Sequence, residues 1–284
     1  IYLKLLQEKS KGLNYDKIIK MSSEIKTSSF FKEIYDYRIE FKVIGESISE
    51  IPTIILLHEG LGSLSMWKEL PEKINNATNC NIVVYSRAGY GKSSSVKLPR
   101  PLNYMSIEAE KYLPEIIRQL NLKKFFLLGH SDGGTIAALY SSKENNNHHL
   151  GTILIAPHFF IEDFNLRSIE KIELEYQSGN FRKRLSKYHS DVDNAFYGWS
   201  KAWLDPDFYK WDITKELRNI NVPVLGIQGN TDPYGSVNQL KSLEKKLSKK
   251  FYKLILDQCG HNPLFEKTEE TIEELKKFIY EYRK

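Results

Sequence analysis

Only two cysteines, Cys80 and Cys259, stand in 284 residues, too few and too far apart for a disulfide framework or a zinc site. Long apolar runs are missing too. Nothing approaches the roughly 20 residues that a helix needs to cross a bilayer, so no membrane role is expected. The formal charge of +5 lacks the clustering that marks a nucleic-acid footprint. Arg182-Lys183-Arg184, Lys245-Lys246 and Lys249-Lys250 are short groups that read as solvated helix faces, and no nucleic-acid module accompanies them. Together these absences point to a soluble protein of a reducing compartment, the cytoplasm. The first methionine is Met21. Residues 1–29 read as an N-terminal extension, with lysines amid short apolar pairs and no continuous apolar core of a secretory signal.

What is present is an alternation of strand and helix signals along the whole chain, which favours one α/β domain with a doubly covered sheet. Residues 30–44 alternate well enough for one or two strands. Further strands are expected near 53–57, 82–85, 125–128, 152–156, 223–228 and 252–256, each bounded by turn residues. Helical spacing runs over 104–120, 134–142, 236–247 and 268–282, with Pro114 set to kink the first. Asn145 to His149 reads as a polar loop with two solvent-exposed histidines. Residues 158–215 lack a plausible sheet strand, and a stretch that long needs helices of its own. Three of the four tryptophans, Trp199, Trp203 and Trp211, fall there.

The most informative residues are Gly129-His130-Ser131-Asp132-Gly133. They follow the apolar run Phe125 to Leu128 and precede Gly134-Thr135-Ile136-Ala137-Ala138-Leu139. A buried strand, a tight turn of small residues and then a helix put a serine on a strained corner with its Oγ exposed at the top of a sheet. Ser131 is the candidate nucleophile, and the N–H of Asp132 points at whatever it attacks. A serine needs a base and an acid. The strand before Gly229 empties into a turn that carries Asp232, the candidate acid. The last strand leads to Gly260-His261-Asn262-Pro263, and His261 is the candidate base. Asp163, after the sixth strand, is the alternative acid. The strand at 53–57 runs into His58-Glu59-Gly60-Leu61-Gly62, whose backbone can supply an oxyanion donor. Gly60 takes that role by position, with Glu59 as the alternative.

With those motifs in place the chain resembles the α/β-hydrolase superfamily from about residue 30 to its C-terminus. The resemblance implies a mostly parallel sheet of about eight strands with helices on both faces. It also implies a core of 30–157 and 216–284, and a helical cap, 158–215, inserted after strand 6. Two departures stand out. The oxyanion loop of relatives usually begins His-Gly, whereas Glu59 follows His58 here and places a carboxylate near the site. Ser86, in Ser86-Arg87-Ala88-Gly89-Tyr90-Gly91-Lys92-Ser93, takes the position of an aspartate that is structural in the family. The same segment ends like a phosphate-binding loop, but the first glycine of that motif would fall on Ser86.

The function implied is hydrolysis of a carboxylic ester, or a related acyl bond, of a small and partly apolar substrate through an acyl-enzyme, without metal or organic cofactor. Glu59, His158, Trp199 and Trp203 are the candidate substrate-binding residues. Hydrolysis of a carbon–carbon bond in ring-cleavage-type diketones is the nearest alternative, since it uses the same triad. A ligand-binding receptor on a hydrolase fold is the second. Dehalogenase and epoxide-hydrolase chemistry use an aspartate nucleophile, which Ser131 replaces.

Overall fold

Apolar side chains alternate along each central strand, and that period of two divides them between two cores. In β3 (Thr53–Leu57) Ile54 and Leu56 join one core, while Ile55 and Leu57 join the other. The same split holds for Phe126 and Leu128 against Phe125 and Leu127 in β5 (Phe125–His130). Strands buried on both faces must be apolar throughout, which is why these segments read as continuous hydrophobic runs. The computed structural model describes residues 26–45, 51–143, 146–247 and 251–284. Residues 1–25, most of the expected N-terminal extension, and Asn145 of the expected polar loop lie outside the described residues.

The other strands are β1 (Thr27–Ile34), β2 (Tyr37–Ile44), β4 (Asn81–Tyr85), β6 (His149–Ile155), β7 (Val224–Gly229) and β8 (Phe251–Leu256). They form one eight-stranded sheet in the order β1-β2-β4-β3-β5-β6-β7-β8. β1 pairs antiparallel with β2, and β2 with β4; every other neighbouring pair is parallel. The chain leaves β3 toward β4 on one side and reaches β5 on the other, so the loops after β3 and β5 diverge. A crevice opens at the carboxyl ends of the strands where such an order reverses.

Helix α1 (Leu70–Thr78) packs on one face of the sheet. On the other, α2 (Tyr104–Ile107) and the π turn that follows it, Glu108–Tyr112, pack beside α4 (Asp132–Lys143), and the chain continues into α3 (Leu113–Gln119). Three α-helices lie between β6 and β7: α5 (Asp163–Gln177), α6 (Asn180–Leu185) and α7 (Val192–Trp203). After β7 come α8 (Asn238–Glu244), the short α9 (Pro263–Glu266) and α10 (Thr268–Tyr282), the last packing beside α1. Among the described residues no helix is long and apolar enough to cross a membrane.

Several expectations shift by physical rules that the sequence carries only weakly. β1 starts at Thr27, so Thr27, Ser28 and Ser29 belong to the sheet rather than to an extension. α1 is an element the spacing did not suggest, because its two asparagines are poor helix formers. Leu70, Ile74 and Thr78 nonetheless recur one turn apart and are buried. The helix expected over 104–120 is interrupted by the π turn just ahead of Pro114, whose ring would collide with the carbonyl four residues back in regular helix. His149 is a correction: only His148 is exposed, while His149 opens β6 and stacks on Phe125 with ring centroids 5.1 Å apart. Burial pulls its imidazole down to about 4.

Ser86, where the resemblance leads one to expect an aspartate, meets a carboxylate from another strand. Ser86 Oγ donates to Glu40 Oε1 of β2 at 2.6 Å, and the same oxygen accepts the N–H of Lys92 at 2.9 Å. Glu40 thus brings the carboxylate that Ser86 lacks. Ser93 Oγ donates to Ser86 O at 2.7 Å and accepts the N–H of Glu40 at 3.0 Å, so Gly91-Lys92-Ser93 serves as a folded turn.

Candidate active site

The turn after β5 is made by sterics. Ser131 adopts φ +53°, a left-handed conformation costing a side-chain-bearing residue roughly 1–2 kcal/mol. The surroundings hold it there: its N–H donates to Ile155 O at 2.9 Å, and its carbonyl accepts the N–H of Thr135 at 3.0 Å. A Cβ on Gly129 would collide with the Gly133 carbonyl, and one on Gly133 with the Leu57 carbonyl, so both positions admit only glycine. Ser131 therefore stands just ahead of α4, at its positive end, where backbone N–H groups lack intrahelical partners. Asp132 is the first of these.

The loops after β7 and β8 bring Asp232 and His261 together. Asp232 Oδ2 accepts a hydrogen bond from His261 Nδ1 at 2.8 Å, which leaves Nε2 as the ring nitrogen available to another group. Gln228 Nε2 donates to the same Oδ2 at 2.7 Å, and the N–H of Tyr234 donates to Oδ1 at 2.7 Å. Burial opposes ionisation of this carboxyl, but the His261 hydrogen bond and charge and the Tyr234 N–H outweigh it and hold it below the ordinary carboxylate range. Asp163 takes no part: it is the first residue of α5 and accepts from Tyr209 Oη at 2.6 Å at an exposed position.

In the loop after β3, Arg87 fixes the backbone. Its guanidinium donates to His58 O and, at 3.1 Å, to Glu59 O; the latter also accepts the N–H of Gly62 at 3.1 Å. In a trans peptide the N–H lies opposite the carbonyl, so Gly60 N–H points away from Arg87. Trp199 lies directly over Gly60, where a Cβ would strike its indole.

Ser131, Asp132, Gly60, Glu59 and His261 line one cavity of about 690 Å³, counting its mouth. His158, Trp199 and Trp203 line it as well, so all four candidate substrate-binding residues open onto the cavity that Ser131 faces. The wall from α5 and α6 is mainly apolar, with Ile169, Ile172 and Phe181. His158 is buried, its ring 5.6 Å from that of His261, and burial together with the His261 charge pulls it down to about 3.

Other residues at the site escaped the sequence reading. The ring of Tyr234 packs against that of His261 at 4.9 Å, centroid to centroid, tilted by 55°. Tyr104 donates to Asp132 Oδ2 and accepts from Trp203 Nε1 at 3.0 Å, linking α2, α4 and α7. Burial pushes the Asp132 carboxyl up from its ordinary value, against the pull of Arg87 and the Tyr104 hydroxyl. Gln228 and Tyr234 lie within a few residues of Asp232 and had a local signal. Tyr104 had none, because its partners are distant in sequence.

The segment between β6 and β7 is closed on itself where it departs and returns. Phe160 pairs with Asp212 in an isolated antiparallel bridge, and Ile213 N–H donates to Phe159 O at 2.8 Å. Asn165 Nδ2 donates to Tyr234 O at 2.7 Å. The segment from Tyr188 to Asp193 forms a hydrogen-bonded loop: His189 Nδ1 accepts Gly91 N–H at 2.9 Å, its Nε2 donates to Leu61 O at 3.0 Å, and Asp191 caps α7. Among the described residues no group of three or more His, Cys, Asp or Glu side chains is placed to hold a metal ion.

Residues 52–210 match the family described as the alpha/beta hydrolase fold. A proline iminopeptidase of Lactobacillus crispatus (strain ST1) is 24% identical over 282 residues, spanning 86% of this chain and 94% of that protein. Among solved structures, an esterase from Exiguobacterium antarcticum superposes with a TM-score of 0.72 at 17% identity, covering 89% of this chain and 100% of the other. A naproxen esterase (carboxylesterase NP) from Bacillus subtilis gives a TM-score of 0.68 at 17% identity, covering 93% and 95%. At such identities the structural likeness speaks for the fold.

Proposed function

The chain belongs to the alpha/beta hydrolase fold family and is a hydrolase, and from that premise we propose that it cleaves a carboxylic ester of a small, partly apolar substrate through an acyl-enzyme on Ser131. The observation that carries this reading is the hydrogen bond from His261 Nδ1 to Asp232, with His261 and Ser131 facing one cavity. His261 Nε2 takes the proton of Ser131 Oγ as that oxygen attacks the carbonyl, then passes it to the leaving alcohol. Asp232 fixes the tautomer and stabilises the imidazolium. The N–H groups of Gly60 and Asp132 receive the oxyanion, each contributing about 3–4 kcal/mol. Water resolves the acyl-enzyme by the reverse route. This chemistry asks for no metal or organic cofactor.

The segment 158–215 acts in this reading as a cap, in which α5, α6 and α7 shape the apolar wall and exclude bulk water. A cytoplasmic location belongs to the same proposal and is supported by Cys80 and Cys259 being separate buried thiols. A second reading is favoured by the Glu59 carboxylate at the cavity and by the iminopeptidase relatives: the acyl group carries an amine. The same triad could also open a carbon–carbon bond.

The deciding experiment is a panel of activated esters graded by acyl length and aromaticity, run beside a prolyl arylamide and a vinylogous diketone. The proposal expects fastest turnover on an apolar ester and loss of that turnover in Ser131→Ala. Preference for the arylamide selects the amine reading, and preference for the diketone the carbon–carbon reading. Binding without turnover of any of them would make the protein a receptor.

A further inference from the structure

We propose that Glu59 and His130 form a positioning and charge-compensating pair, in which a protonated His130 ties the loop after β3 to the loop of His261 and cancels the carboxylate beside the forming oxyanion. This rests on the reading of Ser131 as nucleophile. His130 immediately precedes Ser131, and its ring is buried with both nitrogens facing acceptors. Nε2 lies 2.8 Å from His261 O, so it carries a hydrogen. Nδ1 lies 3.6 Å from Glu59 Oε2. A lone pair there would repel the carboxylate, whereas a proton makes an ion pair. Of the three protonation forms of imidazole, only the cation serves both neighbours.

The surrounding charges leave this pairing to Glu59. Asp232, from the loop after β7, is occupied by His261, Gln228 and the N–H of Tyr234. Glu266, of α9, accepts the N–H groups of Gly260 and Asn262. The ring of His261 itself stands 5.1 Å from that of His130, and His158 approaches from the loop after β6. On the other side, Arg87 spends hydrogen bonds on the carbonyls of His58 and Glu59, and His189 accepts a hydrogen bond at Nδ1 and so is neutral. Burial opposes a cation at His130, but Glu59, the His261 carbonyl and Asp232 outweigh it and raise the group above histidine's ordinary value.

Glu59 directly precedes Gly60. An unpaired carboxylate there would oppose the negative charge that Gly60 N–H is placed to receive. His130 is cationic below its raised pKa and loses the proton as the pH climbs through it. Glu59 is then uncovered, and reactivity falls on the alkaline side.

The test is the pH dependence of the rate at which a small fluorophosphonate labels Ser131 in the intact chain. The wild-type rate should rise from acid pH and then fall, by about tenfold or more, as His130 loses its proton. Glu59→Gln should keep the rise and lose the fall. His130→Asn, whose Glu59 is unpaired at every pH, should label slowly throughout, and adding Glu59→Gln to it should recover about tenfold. In ¹⁵N spectra at neutral pH, His130 should show two protonated ring nitrogens. A fall that persists in Glu59→Gln, or a neutral His130 in the spectrum, overturns the pair while the nucleophile stands. A chain that stays unlabelled at every pH overturns the nucleophile, and the pair with it.

Discussion

The loops at the strand ends and the helices between β6 and β7 both line the cavity, yet they are built differently. Ser131 and Asp232 follow strands buried on both faces and His261 follows the edge strand β8, and each is held by backbone contacts that leave little choice of conformation. The wall of α5, α6 and α7 is held chiefly by its own rings: Tyr176 stacks on Phe196 with centroids 3.6 Å apart, and Trp203 meets Phe208 at 5.2 Å. Rigid strand ends suit chemistry, where small displacements are costly. A wall of side chains on helices suits the choice of substrate, because its shape changes without moving the reacting atoms. The difference predicts that changes in the two regions separate cleanly in their effects.

The largest effect is expected at the strand ends. Ser131→Ala should lower ester turnover by about 10⁴-fold or more with the fold intact, and His261→Ala nearly as much, because these groups act as a unit. Steady-state rates together with circular dichroism check both. Asp232→Asn should cost about 10³–10⁴-fold by losing the carboxylate that orients His261. Asp163→Asn, which loses only an exposed contact with Tyr209, should stay within a few-fold of wild type by the same mechanism. A dead Asp163→Asn beside a healthy Asp232→Asn would reverse the assignment of the acid.

In the helical region the loss should appear in stability and selectivity. Phe196→Ala removes a fully buried ring stacked on Tyr176 and should lower unfolding free energy by about 3–5 kcal/mol, read by chemical denaturation. Phe181→Ala widens the cavity at its apolar wall. It should change the ratio of kcat/KM between long and short acyl esters by about tenfold, roughly one methylene's worth of contact, while Ser131 still labels with fluorophosphonate. An unchanged ratio would leave the wall without a role in choosing substrate.

The same division governs how much the sequence discloses. Strands between turn residues are local signals, and the expected segments at 53–57 and 252–256 fall on Thr53–Leu57 and Phe251–Leu256 with at most one residue of difference. The placing of Ser131, Asp232 and His261 beyond strand ends was readable because a strand end followed by a turn fixes where its side chains emerge. The carboxylate lent by Glu40 was not readable, since nothing near Ser86 announces a partner on β2. Nor was the meeting of Glu59 with His130, which depends on β3 and β5 lying side by side. The helices after β6 were expected from length and aromatic content, but which rings would face the cavity depends on helix rotation. Trp203 both lines the cavity and donates to Tyr104, and no local pattern separates those duties. His149 misled because a polar run, Asn145-Asn146-Asn147-His148-His149, hides the first residue of a strand.

The measurement that bears most directly on the central claim is rapid acid quenching of the protein during turnover of p-nitrophenyl acetate, followed by mass spectrometry of its peptides. An acetyl group is expected on Ser131, formed in a burst in the wild type and absent from Ser131→Ala. Acetylation confined to another residue, or sustained turnover in Ser131→Ala, would contradict that claim.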